Sequence, residues 1–185
     1  FDPNDRPRIL TEGDQSDSAL FNRAIQGVYE LGSVFKIFAV SQAIQIGLIE
    51  ANTMIDTTGP LAWGRFRIRD FHDYGPQLTV EDVIVQSSNI GTARIAMMIG
   101  ADRQREFLGS LGLLVETPVE MVEAPTGDPL LPSNWSEIST MTISYGHGLS
   151  SSPVHLATAY ASLLNGGYRI EPTIMRQNGP RYGSR

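Results

Sequence analysis

A serine and a lysine three residues apart, Ser33 and Lys36, stand in the otherwise apolar stretch ELGSVFKIF at residues 30 to 38. Lys36 is the only lysine, because the other basic residues among the chain's 14 lysines and arginines are all arginine. On a helix, residues three apart lie on one face, so the Lys36 amine can reach the Ser33 hydroxyl. Apolar burial and the positive end of a helix both disfavour the protonated amine. The pair is therefore suited to activating a serine nucleophile.

The spacing alone has a plainer interpretation. Serine is common enough that a serine three residues before a lysine arises readily by chance. A lone lysine in an apolar run commonly extends its ammonium group to the surface, and periodicity by itself favours that interpretation. Ser87 and Asn89, in the sequence SSN at 87 to 89, have a similar alternative, because such side chains at a helix end commonly satisfy backbone N–H groups.

Helices are the main elements that would position these residues. Apolar positions nearly all round the wheel predict a buried helix that starts with Ser33 in its first turn and ends at a left-handed cap on Gly47. Thr79, followed three residues later by Asp82, predicts a capped helix over about residues 80 to 86. Asn89 is expected to cap the next helix.

Further elements follow from cap and turn signals. Asp102 is expected to cap a helix that ends near Gly112, and WSEISTMTISYGHG predicts a helix running into a glycine turn. Ser152 as cap, with Pro153 in the first position, predicts a last helix that stops at Gly166. A basic and apolar alternation at 65 to 69 predicts a hairpin strand.

Composition limits the class of protein. A chain of 185 residues, 41% hydrophobic and 18% charged, is long enough for one domain over 1–185 with a sizeable core. Its net charge of −6 argues against nucleic acid as a partner. The absence of cysteine leaves the compartment open.

Three long segments, in order and with similar spacing, resemble the transpeptidase domain of class B penicillin-binding proteins. The segments are NRAIQGVYELGSVFKIF, LTVEDVIVQSSNIGTARIA and ISYGHGLSSSPVHLATAYASLLNGG. The resemblance extends from about Phe1 to Pro172 and is closest to the monofunctional division and elongation enzymes. It implies a mainly α fragment of an α+β, serine β-lactamase-like domain whose central antiparallel sheet is largely missing from this chain.

The resemblance also implies roles for four residues. Ser33 would be the nucleophile of a Ser-x-x-Lys motif and would attack the carbonyl between the two terminal D-alanines of a peptidoglycan stem peptide. Lys36 would take its proton, Ser87 would relay a proton toward the leaving group, and Asn89 would hold Lys36 and the substrate amide. The Ser33 N–H would supply half of an oxyanion hole. No cofactor is implied, and β-lactam antibiotics would acylate the same serine.

One family motif, Lys-Thr/Ser-Gly, cannot occur in a chain whose only lysine is Lys36. The fragment itself is therefore expected to be inactive. The resemblance places the parent at the periplasmic face of the bacterial inner membrane, with an anchor outside this chain. Its expected partners are membrane-embedded division or elongation proteins.

Alternative functions stay open at this stage. A serine β-lactamase or D,D-carboxypeptidase shares Ser-x-x-Lys but passes the acyl group to water, and a β-lactam-binding sensor or pseudoenzyme binds without turnover. Asp70, His72 and Asp73 could ligate a metal, but alternating polar residues in a glycine-flanked loop are more often solvated, so no metal is expected. His147, inside GHG, is expected to be structural.

Overall fold

The computed structural model describes residue 4 and residues 7–179 and 182–183. The chain divides into two compact units, one formed by residues 30–108 and 131–149 and the other by residues 1–29, 109–130 and 150–185. The helices are α1 Lys36–Gln45, α2 Val80–Val85, α3 Asn89–Ile99, α4 Ala101–Ser110, α5 Glu137–Ser144 and α6 Pro153–Leu164. The strands are β1 Tyr29–Glu30, β2 Met54–Asp56, β3 Leu61–Trp63, β4 Phe66–Ile68, β5 Gln77–Thr79 and β6 Ser150–Ser151.

The expected helix-rich architecture with only small sheets is confirmed. Strands β2 and β5 pair antiparallel, with Ile55 opposite Leu78, and β3 and β4 form the hairpin predicted near residues 65 to 69. Among the described residues there are also 3₁₀ helices at Gln15–Asp17, Gly32–Phe35 and Ala124–Gly127. In the described part of the chain, no helix is both long and apolar enough to cross a membrane.

The core of the unit formed by residues 30–108 and 131–149 lies around α3. Helix α3 packs against both α1 and α5. One buried cluster joins α1, α2 and α3 to the β2–β5 pair, and a second joins α3 to α5 and the β3–β4 hairpin. The first contains Ala39, Val40, Ala43, Ile49, Ile55, Val80, Val83, Ile95 and Ile99, and the second Ile68, Ile90, Ala93 and Met141. This core fixes α1, which carries Lys36, and the start of α3, which carries Asn89; Ser33 and Ser87 lie in the segments just before these two helices.

Several helix boundaries predicted from local signals are confirmed. The Thr79 hydroxyl accepts from the Asp82 N–H at the start of α2, and the Ser152 hydroxyl accepts from the His155 N–H at the start of α6. Gly47, just after α1, has φ of +72°, in the left-handed region that glycine tolerates best.

Two predicted caps are wrong. Ser88 caps α3, because its hydroxyl accepts the Gly91 N–H at 2.8 Å, and Asn89 is already the first helical residue. Helix α4 starts at Ala101, so Asp102 lies inside the first turn and does not precede it. At the start of α3 a long-range contact bears on the boundary, because the Asp70 carboxylate accepts from the Ser88 hydroxyl and the Asn89 N–H.

Candidate active site

Ser33 lies in a 3₁₀ turn, where an α-helix was expected. The turn covers Gly32–Phe35, and α1 begins only at Lys36. The 3₁₀ turn begins at Gly32 with φ of +61°, a value that glycine adopts without steric cost. In a 3₁₀ helix the side chains at positions i and i+3 eclipse one another, so this turn stacks Lys36 directly over Ser33. The Lys36 N–H also donates to the Ser33 carbonyl.

The Lys36 amine lies inside the protein, in contact with both serines that the sequence singled out. Its Nζ is 3.1 Å from Ser33 Oγ and 2.7 Å from Ser87 Oγ, and it also donates to the Ser87 carbonyl. Only 2% of Lys36 is exposed, whereas Ser33 is exposed. The lysine therefore does not extend to the surface, and the hydroxyl it contacts is accessible to a substrate.

Burial changes the protonation of this amine. It lowers the pKa of Lys36 from 10.5 to about 8, while the negative charge of Asp70 opposes the change. At pH 7 roughly a tenth of the amines would be neutral, against about three in ten thousand at the ordinary value. A lysine in this setting can accept a proton from a neighbouring hydroxyl far more often than a solvated lysine can.

Ser87 occupies a backbone conformation that serine rarely adopts. Its φ is +58°, and it is the only described residue other than glycine with positive φ. The Ser88 N–H donates to the Val83 carbonyl and the Ser87 N–H to the Ile84 carbonyl, which is the Schellman pattern that ends a helix. Glycine is the usual residue at the left-handed position of this motif. This conformation ends α2 and aims both the carbonyl and the hydroxyl of Ser87 at Lys36.

Asn89 does not contact Lys36 as the resemblance implied. Its side-chain Nδ2 donates to the Arg69 carbonyl at 2.9 Å, and among the contacts of the described residues no hydrogen bond joins it to Lys36. Ser87 takes that place through its hydroxyl and carbonyl. The structure thus brings Ser33, Lys36 and Ser87 together, with Asn89 two residues further along at the start of α3.

Asp70 holds the loop that carries Ser87 and Asn89. One carboxylate oxygen accepts from the Ser88 hydroxyl at 2.7 Å, and the other accepts from the backbone N–H groups of Asn89 and Ile90. A negative charge at this position also interacts favourably with the positive end of the α3 dipole. The sequence indicated Asp70 only as a possible metal ligand, because no local signal links it to residues almost twenty positions away.

The neighbours of Asp70 have other contacts. The Asp73 carboxylate accepts from the Gly75 N–H, and the His72 ring makes edge contacts with Phe71 and Tyr74. Across residues 4, 7–179 and 182–183, no group of three or more His, Asp or Glu side chains is arranged to hold a metal ion. Asp70, the most enclosed of the three, is engaged with serine and backbone donors.

Known proteins of one family match this chain over almost its full length. The family model for the penicillin binding protein transpeptidase domain matches residues 1–181. A probable peptidoglycan D,D-transpeptidase FtsI from Caulobacter vibrioides is 36% identical over 168 residues, which are 91% of this chain and 28% of that protein. The peptidoglycan D,D-transpeptidase FtsI of Escherichia coli K12 is 30% identical over 167 residues, 90% of this chain and 28% of that protein.

Solved structures agree with these matches. The transpeptidase domain of Burkholderia pseudomallei penicillin-binding protein 3 superimposes with a TM-score of 0.80 at 34% identity, over 88% of this chain and 50% of that one. A structure described as a peptidoglycan glycosyltransferase from Burkholderia ambifaria gives a TM-score of 0.81 at 32% identity, over 89% of this chain and 53% of that one. The chain spans less than a third of the length of either sequence relative.

Proposed function

The chain belongs to the penicillin-binding protein transpeptidase family, and on that premise we propose that its parent protein cross-links peptidoglycan through an acyl-enzyme on Ser33. The observation that carries the proposal is the contact between the buried Lys36 amine and the exposed Ser33 hydroxyl at 3.1 Å. A nucleophile and a base within hydrogen-bond reach are the signature of nucleophilic catalysis. Residues 1–185 would form part of one transpeptidase domain, since the family model extends over both compact units.

Acylation would begin with Ser33 Oγ attacking the carbonyl carbon between the two terminal D-alanines of a stem peptide. The hydroxyl proton passes to the neutral Lys36 amine as the C–O bond forms. When the peptide C–N bond breaks, the leaving D-alanine amine takes a proton that Ser87 relays from Lys36, and Lys36 returns to its neutral form. Ser87 Oγ, 2.7 Å from Nζ, has the position that this relay needs.

Transfer would then repeat these steps in reverse. The amine of a neighbouring stem peptide attacks the ester carbonyl, the Ser33 C–O bond breaks, and the proton lost by that amine returns to Ser33 through the same groups. The N–H of Ser33, an exposed residue in a 3₁₀ turn, would donate to the oxyanion in both acylation and transfer. Asn89 would bind the substrate amide through its side chain, exchanging the Arg69 carbonyl for the ligand.

We also propose which antibiotics the parent protein binds and where it acts. A β-lactam would acylate Ser33 in the same way, because its strained amide is attacked like the D-alanyl amide. The parent would act at the periplasmic face of the inner membrane alongside membrane-embedded division or elongation proteins. Its chemistry would need no cofactor, since the proposed nucleophile, base and relay are all side chains of this chain.

Labelling with a fluorescent penicillin tests the nucleophile. In a longer form of the protein that includes the Lys-Thr-Gly region of the family, we expect one adduct, located by peptide mass spectrometry on Ser33. Ser33→Ala should abolish it, and Ser41→Ala, on the adjoining helix α1, should leave it intact. An adduct on any other residue would refute the assignment.

Turnover separates the related activities. With a stem-peptide donor and an amine acceptor, a transpeptidase gives the cross-linked product. Hydrolysed donor alone would indicate a carboxypeptidase, release of an opened β-lactam would indicate a β-lactamase, and a stable adduct without peptide turnover would indicate a sensor.

A further inference from the structure

The turn that carries Ser33 lies directly against a second turn, residues 145 to 148. The Gly32 N–H donates to the Gly146 carbonyl at 3.0 Å. A Cβ atom added to Gly146 would lie 2.0 Å from the Gly32 carbonyl oxygen, so the two backbones touch with no room for a side chain. The position of Gly32, and with it the adjoining Ser33, therefore depends on where the 145–148 turn lies.

Glu30 joins the chain just before Ser33 to the same turn. One of its carboxylate oxygens accepts from the Gly148 N–H at 2.6 Å, and the other is 2.9 Å from His147 Nδ1. The hydrogen bond from His147, followed by that from the Gly148 N–H, lowers the pKa of Glu30, so the carboxylate is ionised at neutral pH. Glu30 and Gly32, the residues just before and just after Leu31 in the sequence, thus both contact the 145–148 turn.

The energy of the ion pair does not explain this arrangement. The side chains of Glu30 and His147 are 48% and 57% exposed, and ion pairs at such exposure contribute at most about 1 kcal/mol to stability. The carboxylate instead holds the turn in position, because its two oxygens bind His147 and Gly148, next to the Gly146 carbonyl that accepts from the Gly32 N–H. The backbone hydrogen bond to Gly148 is the shorter of the two and does not depend on the protonation of His147.

We propose that Glu30 is a positioning residue for Ser33, acting through the 145–148 turn to set the placement of the Ser33 hydroxyl and N–H. The inference rests on the proposed acyl transfer at Ser33. Displacement of a reacting group by about 1 Å can reduce a rate by roughly a hundredfold. Loss of the carboxylate should therefore slow acylation, while the folded core around α3, which Glu30 does not enter, keeps its stability.

Stopped-flow acylation by a fluorescent penicillin, in the longer form of the protein, tests the proposal. Glu30→Ala is expected to lower the first-order acylation rate constant by about 10- to 100-fold, with the noncovalent affinity and the thermal midpoint close to wild type. Glu30→Gln should recover most of the rate, because its amide oxygen still accepts from Gly148. His147→Ala should lower the acylation rate constant by less than about threefold, as expected for an exposed ion pair. Glu106→Gln, an exposed glutamate on α4, is the control and should behave as wild type.

Each result decides the proposal. Wild-type acylation by Glu30→Ala would overturn it, and so would a rate loss that follows a lower thermal midpoint or that Glu30→Gln fails to recover. If the wild-type protein carries no adduct on Ser33, the proposed function itself fails, and that outcome is separate from a failure at Glu30.

Discussion

The protonation of Lys36 can be measured directly, because it is the only lysine in the chain. Protein made with ¹³Cε-labelled lysine gives one side-chain signal, and its chemical shift follows the charge of the amine as the pH is raised. We expect the midpoint of this titration at about 8 in the folded protein. The same sample unfolded in urea supplies an internal control and should titrate near 10.5.

The size of the change has a consequence for stability. A pKa lowered from 10.5 to about 8 corresponds to about 3 kcal/mol of unfavourable interaction of the charged amine with its surroundings. Between those two values the unfolded chain holds a proton that the folded chain has released. The free energy of unfolding should therefore rise with pH across that interval, by up to about 3 kcal/mol relative to Lys36→Met, which has no amine to titrate.

Substitution of Asp70 tests the electrostatic contribution to the pKa of Lys36. The negative charge of Asp70 favours the protonated amine, so Asp70→Asn should move the midpoint further below 8 while the amide still accepts the N–H groups of Asn89 and Ile90. Asp73→Asn, in the same loop, is the control and should not move it. A folded-state midpoint near 10.5, or an upward change in Asp70→Asn, would contradict the idea that desolvation prepares Lys36 to act as a base.

Two further predictions concern groups in unusual environments. Ser87→Ala and Ser87→Gly both remove the hydroxyl, but only glycine also relieves the strain of the positive φ at this position. Urea unfolding should therefore show Ser87→Gly to be more stable than Ser87→Ala by about 1 kcal/mol. Equal stabilities would contradict the argument from backbone strain. Burial lowers the pKa of His155, against the weaker effects of its bond to the Val115 carbonyl and the charge of Asp128, so the unfolded state binds the proton more readily. The free energy of unfolding should fall as pH drops below about 6.5, and His155→Gln should remove that part of the pH dependence.

Local sequence rules predicted the elements whose ends depend on a few adjacent residues. The caps at Thr79 and Ser152 are side-chain bonds to backbone groups within three positions, and such signals are complete in the sequence itself. The left-handed glycine after α1 belongs to the same class. The resemblance to the penicillin-binding transpeptidases, which rested on three long segments, is confirmed by the family match.

Long-range contacts set what local rules could not. The 3₁₀ turn that replaces the expected α-helical start begins at Gly32, and the Gly32 N–H donates to the Gly146 carbonyl, more than a hundred residues away. Ser88 replaces Asn89 as the cap of α3 because Asp70 accepts from both the Ser88 hydroxyl and the Asn89 N–H, which fixes where the helix begins. Nothing in the spacing of these residues encodes either partner.

Two residues in locally unfavourable states, Lys36 and Ser87, are joined by one hydrogen bond. This pairing is the strongest physical reason to propose that acyl transfer takes place beside them. A buried ammonium and a serine at positive φ would each be relieved by a commoner residue, methionine at 36 or glycine at 87. Yet Lys36 and Ser87 contact each other at 2.7 Å beside the exposed Ser33. A second close pair of a serine and a histidine, Ser152 and His155, differs from this arrangement. Both residues are buried, and the His155 ring is already bonded to Ser152 and the Val115 carbonyl. Ser152 and His155 complete a helix cap, whereas Lys36 and Ser87 adjoin the exposed hydroxyl of Ser33, the proposed nucleophile.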